Sequence, residues 1–244
     1  MASTSWSVPA RLLAVIDRPV KLFEQIARQP GKGWYAPVLI LLVGVSVAAL
    51  VTAPYAAQEA QRQMERQLAS RPPEQAELLA QQMERFGSPL MVGAVSLVGG
   101  VLGQAVAVLV TAAMIYFIAL FMGSEREFGV TFAASLWAYI PLALRLLAQA
   151  GVAALRGELI VNQGLSYLAS VGDPLKDARS IPYVLLGQVD PFTLWHAVLV
   201  YAMGRGLFGF GRNRSVLLAV LYVALHLALQ VGTTLLTGLL AGGL

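Results

Sequence analysis

Between Pro89 and Met122 the chain carries no charged residue, and that run restricts the fold more than any other feature. In lipid every backbone N–H and C=O must be satisfied within the protein, so an apolar stretch of this length is predicted to be helical. About 20 predominantly apolar residues cross the roughly 30 Å hydrocarbon core. Residues 89–122 overshoot it, reaching about 51 Å at 1.5 Å per residue. They must tilt, kink near Gly99 and Gly100, or begin outside the core. Three further spans are predicted: Ala36 to Pro54 without charge, Phe128 to Leu155 interrupted only by Arg145, and Ser215 to Leu244 without Asp, Glu, Lys or Arg and with His226 as its one histidine. The 57% hydrophobic and 12% charged composition excludes an ordinary soluble domain. With no cysteine, disulfides, thiolate metal sites and thiol nucleophiles are excluded as well. The net charge of +4 comes without a basic tail, so nucleic acid is not a predicted partner. The cations are 14 Arg against 3 Lys, a bias that points to a GC-rich bacterial source.

A fifth segment, Pro191 to Gly204, is uncharged but short. It spans if Arg205 snorkels to the headgroups and the helix continues toward Phe210; otherwise it is re-entrant or interfacial. Arg11, Arg18, Lys21, Arg28 and Lys32 precede the first span, Arg126 follows the second, and Arg205, Arg212 and Arg214 precede the last. Basic residues in short flanking segments mark the cytosolic side. With five spans the N-terminus is then cytosolic and the C-terminus outside, giving a cytosolic segment 1–34 and a membrane domain 35–244 with outer loops 58–88 and 156–190. The fold class is all-α, a polytopic membrane helix bundle. Nothing at the N-terminus resembles a cleavable signal. Val20, Phe23, Ile26 and Ala27 recur at helical spacing opposite Lys21, Glu24, Gln25 and Arg28, with Pro19 suited to a first turn. That pattern predicts an amphipathic helix in the cytosolic interface, Trp34 and Tyr35 anchoring the approach to the first span; a solvated linker helix is the alternative. Loop 58–88 reads as a helical hairpin broken at "SRPPEQ", with "RQMER" (62–66) echoed by "QQMER" (81–85). In the second outer loop "ELIVNQGLSYLASV" rests on the outer interface or is disordered.

"GRGLFG" (204–209) fits GxGxxG, but the fingerprint binds dinucleotides only between a strand and a helix, and here it links two membrane helices. Its glycines are read as a tight turn. Asp190, His196 and His226 carry metal-compatible atoms without the spacing of a metal motif, and no cofactor is predicted. No GxSxG elbow and no paired intramembrane carboxylates point to catalysis. The costliest residue is Arg145, since a charge near the bilayer centre is unfavourable by about 3 kcal/mol on insertion scales. It follows Pro141, whose kink frees backbone carbonyls. Gln104, Gln149, His226 and Gln230 are the polar side chains available to complete an intramembrane site with it. Arg145 either ties helices together through such partners or lines a polar cavity. His226 has Gln230 one turn away. Gly99 with Gly103, and Gly238 with Gly242, form small-residue faces for close helix packing.

Asp190 and Pro191 form a good N-cap and first turn for the helix they open, and Trp195 sits one turn in at interfacial depth. Here "DPFTLWHAVLVYAMGRG" resembles the signature before the fourth span of the Yip (Ypt/Rab-interacting protein) family, with Asp190, Phe192 and Trp195 as its marks. "RPVKLFEQIARQPGKGWYAPVLIL" is similar to that family's lead into its first span, and "GSEREFGVTFAASLWAYIPLAL" to the pattern around its third. The likeness covers roughly residues 15–240. It implies a five-helix membrane domain with a cytosolic N-terminus and no enzyme activity. Eukaryotic relatives are associated with vesicle traffic and prenylated small GTPases; some bacterial ones are encoded near ABC exporters. The long 58–88 loop and the short cytosolic segment depart from the pattern. The expected function is a non-enzymatic adaptor in the bacterial cytoplasmic membrane, binding lipids and another membrane protein, an ABC exporter among the candidates, with homo-oligomers open. A small transporter moving a lipid or amphiphile past Arg145 is the alternative.

Overall fold

A computed structural model describes residues 6–29, 33–69 and 89–242. Among them the regular elements are all helical: α1 (Val8–Asp17), α2 (Pro19–Arg28), α3 (Tyr35–Ala69), α4 (Pro89–Phe121), α5 (Phe128–Ala138), α6 (Ile140–Arg156), a 3₁₀ turn (Ser166–Ala169), α7 (Pro174–Arg179), α8 (Ile181–Gly187), α9 (Pro191–Gly206) and α10 (Arg212–Gly242). Four stretches are long and apolar enough to cross a membrane: Tyr35–Arg62, Gly93–Phe121, Phe128–Arg156 and Arg212–Leu236. At 16 residues, α9 is about 24 Å long, short of a 30 Å core by itself.

The chain divides into two compact parts. The first holds residues 1–40, 106–142 and 161–244, and α9 is its centre. Leu199, Val200, Ala202 and Met203 of α9 are buried against Leu22, Phe23 and Ile26 of α2, Ile115 of α4, Trp137 of α5 and Leu218 of α10. The amphipathic pattern of α2 therefore has a protein partner: its apolar face packs on α9, the place assigned above to lipid, and leaves Lys21, Glu24 and Arg28 exposed. α9 and α10 run antiparallel, Gly204 meeting Ser215 and His196 meeting Tyr222.

In the second part, residues 41–105 and 143–160, α3 turns a stripe of Leu41, Val45, Ala49, Ala53 and Ala57 inward at four-residue spacing. α4 approaches that stripe through glycines. A Cβ at Gly100 would lie 3.1 Å from Val45 Cγ1, and one at Gly93 3.3 Å from Ala53 Cβ. Small residues let helix backbones approach this closely. Gly99 and Gly103, the pair singled out from the sequence, face open space, and α4 runs unbroken past Gly99 and Gly100. α3 continues through Pro54 into the residues assigned to the outer loop. "RQMER" thus lies on α3, while "SRPPEQ" and "QQMER" lie outside the described residues.

Candidate functional site

Asp190 starts α9 as its N-cap. Its Oδ1 accepts from the backbone amides of Phe192 (2.8 Å) and Thr193 (3.0 Å), and its Oδ2 from the Thr193 hydroxyl (2.7 Å). Pro191 needs no amide partner in the first turn. Both carboxylate oxygens are thus committed to the cap. Phe192 and Trp195 are half-buried on the same helix, and Trp195 packs on the core.

Two turns in, His196 is buried between two other helices. Its Nδ1 lies 2.7 Å from the Ala138 carbonyl and its Nε2 2.8 Å from the Tyr222 hydroxyl. A carbonyl only accepts, so Nδ1 carries the proton, and in the neutral ring Nε2 accepts from Tyr222. The Thr111 hydroxyl bonds to Tyr222 in turn. The Tyr139 and Tyr222 rings stand edge-on to the imidazole, at centroid distances of 5.3 and 5.5 Å. This polar spine joins α4, the α5–α6 junction, α9 and α10.

Local sequence explains why Ala138 has a carbonyl to offer. Pro141 disfavours helix continuation before it, α5 ends at Ala138, and the Leu142 amide bonds the Tyr139 carbonyl at 3.0 Å. The Ala138 carbonyl loses the donor that a continuous helix would supply from Leu142. His196 takes it. The sequence points to freed carbonyls at Pro141 and offers them, with Gln104 and Gln149, as partners for Arg145; nothing in it points to Tyr222 or Thr111. Pro141 and a histidine on a neighbouring apolar helix were the available signals.

The other candidates fall into different parts of the chain. His226 stacks on Tyr222 with centroids 6.0 Å apart, extending the spine along α10. Gln230, one turn further, accepts the hydroxyls of Thr233 and Thr234 at its backbone carbonyl. Gln104, Arg145 and Gln149 belong to the second part and are half-buried, with Gln104 Nε2 buried and unpartnered. Trp34 and Tyr35 are exposed at the start of α3. Next to them, burial lowers the Arg11 pKa while the neighbouring Tyr35 acts to raise it.

The three glycines of "GRGLFG" divide by role. Gly204 and Gly206 lie inside α9 at close contacts, where a Cβ would come 2.8 Å from Ser215 Cβ and 3.0 Å from Phe23 Cβ. Only Gly209 makes the turn, at φ +69°. Arg205 donates to the Phe210 carbonyl at 3.2 Å; Arg214 donates to the Met122 carbonyl and lies 5.0 Å over the Phe210 ring. These contacts make the segment a helix-packing corner. Among the described residues no group of three His, Asp or Glu side chains could hold a metal ion, and His196 has both nitrogens occupied within the protein.

A family model described as Yip1 domain matches residues 13–233, from α1 into α10. No curated protein and no solved structure matches the chain significantly.

Proposed function

The chain belongs to the Yip1 domain family, and on that premise we propose that it is a non-enzymatic adaptor that holds another membrane protein or specific lipids against its helices. The family is not a known enzyme family, and its members interact with membrane proteins and lipids in general. Four apolar helices together with the family make the chain a multi-pass membrane protein. In our reading α9 is a further crossing, the N-terminus is cytosolic and the C-terminus outside, and Trp34 and Tyr35 mark the interface beside the first span.

One observation carries the reading. α10 is an apolar span that turns Val216, Leu217, Val220, Leu221, Leu225 and Leu229 outward, while the polar groups of the spine bond to one another. A face of this kind has lateral contact as its chemistry. The partner search starts with ABC exporters, near which some bacterial proteins of the family are encoded. The test is a photo-crosslinking amino acid at Leu217 or Leu225, with Leu199 as the buried control, in native membranes. A discrete protein adduct, or retention of one lipid class through purification, is the expected result. Capture of bulk lipid alone, in proportion to membrane composition, would defeat the adaptor reading.

A further inference from the structure

Residues 161–189 fold into a cap tied together by bonds within its own backbone. The Leu165 amide donates to the Leu186 carbonyl (3.0 Å), as does the Val189 amide (3.0 Å), and Gln188 closes on Leu185 (3.1 Å). The Tyr183 hydroxyl reaches the Val161 carbonyl at 3.0 Å, and Asp177 accepts from the Val171 amide at 2.8 Å. The fit is close. Gly164, at φ +53°, faces the carbonyls of Leu186, Gly187 and Val189, where a Cβ would come within 2.7 to 3.0 Å. The cap shows apolar side chains outside: Val161, Tyr167, Leu168 and Val171 are 62%, 57%, 63% and 71% exposed. Its charged residues are confined to the 173–179 segment.

Depth follows from the α9–α10 register. Gly204 opposite Ser215 and His196 opposite Tyr222 place Asp190 level with about Leu229. The apolar span of α10 continues to Leu236, about 10 Å further at the helical rise. α7 and α8, which precede Asp190, pack on α10. The cap therefore stands beside the last part of a membrane-crossing helix. Irregular backbone is tolerated at that depth where its polar groups are satisfied within the protein, and the bonds made by the amides of Leu165, Val171, Gln188 and Val189 do this for part of the cap.

We propose that this cap is bedded in the headgroup and acyl boundary of the leaflet opposite the Arg205–Arg214 turn, with Tyr167, Leu168 and Val171 in lipid and the 173–179 segment toward water. The proposal goes beyond the adaptor reading and does not depend on any partner being found. In the five-span reading the cap also supplies the depth that α9 lacks.

The chain has no native cysteine, so single nitroxide labels can be placed at Leu168, Val171 and Lys176, with Val220 as the lipid reference and Asn213 as the water reference. The full chain is reconstituted in phosphatidylcholine–phosphatidylglycerol vesicles, and accessibility to oxygen and to a water-soluble nickel chelate is measured. Labels at 168 and 171 are expected to favour oxygen over nickel several-fold, as at 220, and those at 176 and 213 the reverse. Nickel access at 168 and 171 equal to that at 176 would put the cap in water and overturn the proposal. So would shielding of 168 and 171 from both reagents, which would mean that protein covers them.

Discussion

A histidine buried in an apolar helix must find partners for two nitrogens, and His196 finds them on two other helices. Replacing it with Leu removes both bonds, leaving the Ala138 carbonyl buried without that donor and the Tyr222 hydroxyl with Thr111. An orphaned group costs about 1–3 kcal/mol in a core, with membrane pairs toward the lower end. His196→Leu should therefore lower the thermal midpoint in detergent, and so should Tyr222→Phe, which removes the bonds to His196 and to Thr111. The double variant should be less destabilised than the sum of the two, because they share the His196–Tyr222 bond; strict additivity would show that the spine is not coupled. At Asp190 the cap needs acceptor oxygens rather than charge, so Asp190→Asn should be mild and Asp190→Leu should cost about 1 kcal/mol. Loss of partner crosslinks in a fully stable Asp190→Asn protein would contradict the capping role. The cap could be read from Asp190 and Pro191 because its partners lie within three residues. The partners of His196 lie 26 and 58 residues away, beyond anything local periodicity encodes.

The amphipathic spacing of α2 is likewise local and legible, but whether an apolar face meets lipid or protein depends on what the rest of the chain brings to it. α9 comes to it at Gly206, where a Cβ would collide with the Val20 carbonyl and press on Phe23. Gly206→Val should undock α2 and speed tryptic cleavage at Lys21 and Arg28, while Gly99→Ala, facing open space, should not. Unchanged cleavage in Gly206→Val would mean that α2 does not dock on α9. In the cap, the Ser170 hydroxyl and the Val171 amide hold the Asp177 carboxyl below its ordinary value of 3.8. A lowered folded-state pKa gives stability that is complete above the ordinary value and lost as pH falls through the lowered one. Amide exchange around Val171 should thus stay slow at neutral pH and accelerate only below about pH 4, whereas Asp177→Asn should exchange fast at pH 7. Equal protection in the two proteins at pH 7 would remove Asp177 as the fastener of the cap.

Over the whole molecule, the four long apolar stretches were legible because length and the absence of charge are properties of the sequence itself. The behaviour of α9 was not, because a 16-residue helix can cross only with help from its neighbours. α3 shows the same dependence: Pro54 looked like the end of a span, yet the helix runs on to Ala69. Such a proline is tolerated in a membrane helix when neighbouring groups satisfy the freed backbone. The arrangement of crossings is open to a direct test, since α9 separates the cap from the basic turn. Lys176→Cys and Asn213→Cys, both at exposed positions, should react with an impermeant thiol reagent from opposite sides, position 213 only after permeabilisation. The orientation rests on the basic residues of the α9–α10 corner, which favour the cytosol. A cysteine added after Leu244 should label with position 176, because α10 crosses back. Positions 176 and 213 labelling from one side would make α9 re-entrant and leave four crossings. Position 213 labelling from outside and 176 only from inside would keep five crossings and invert the protein, and the basic-residue asymmetry would then have failed as the determinant of orientation.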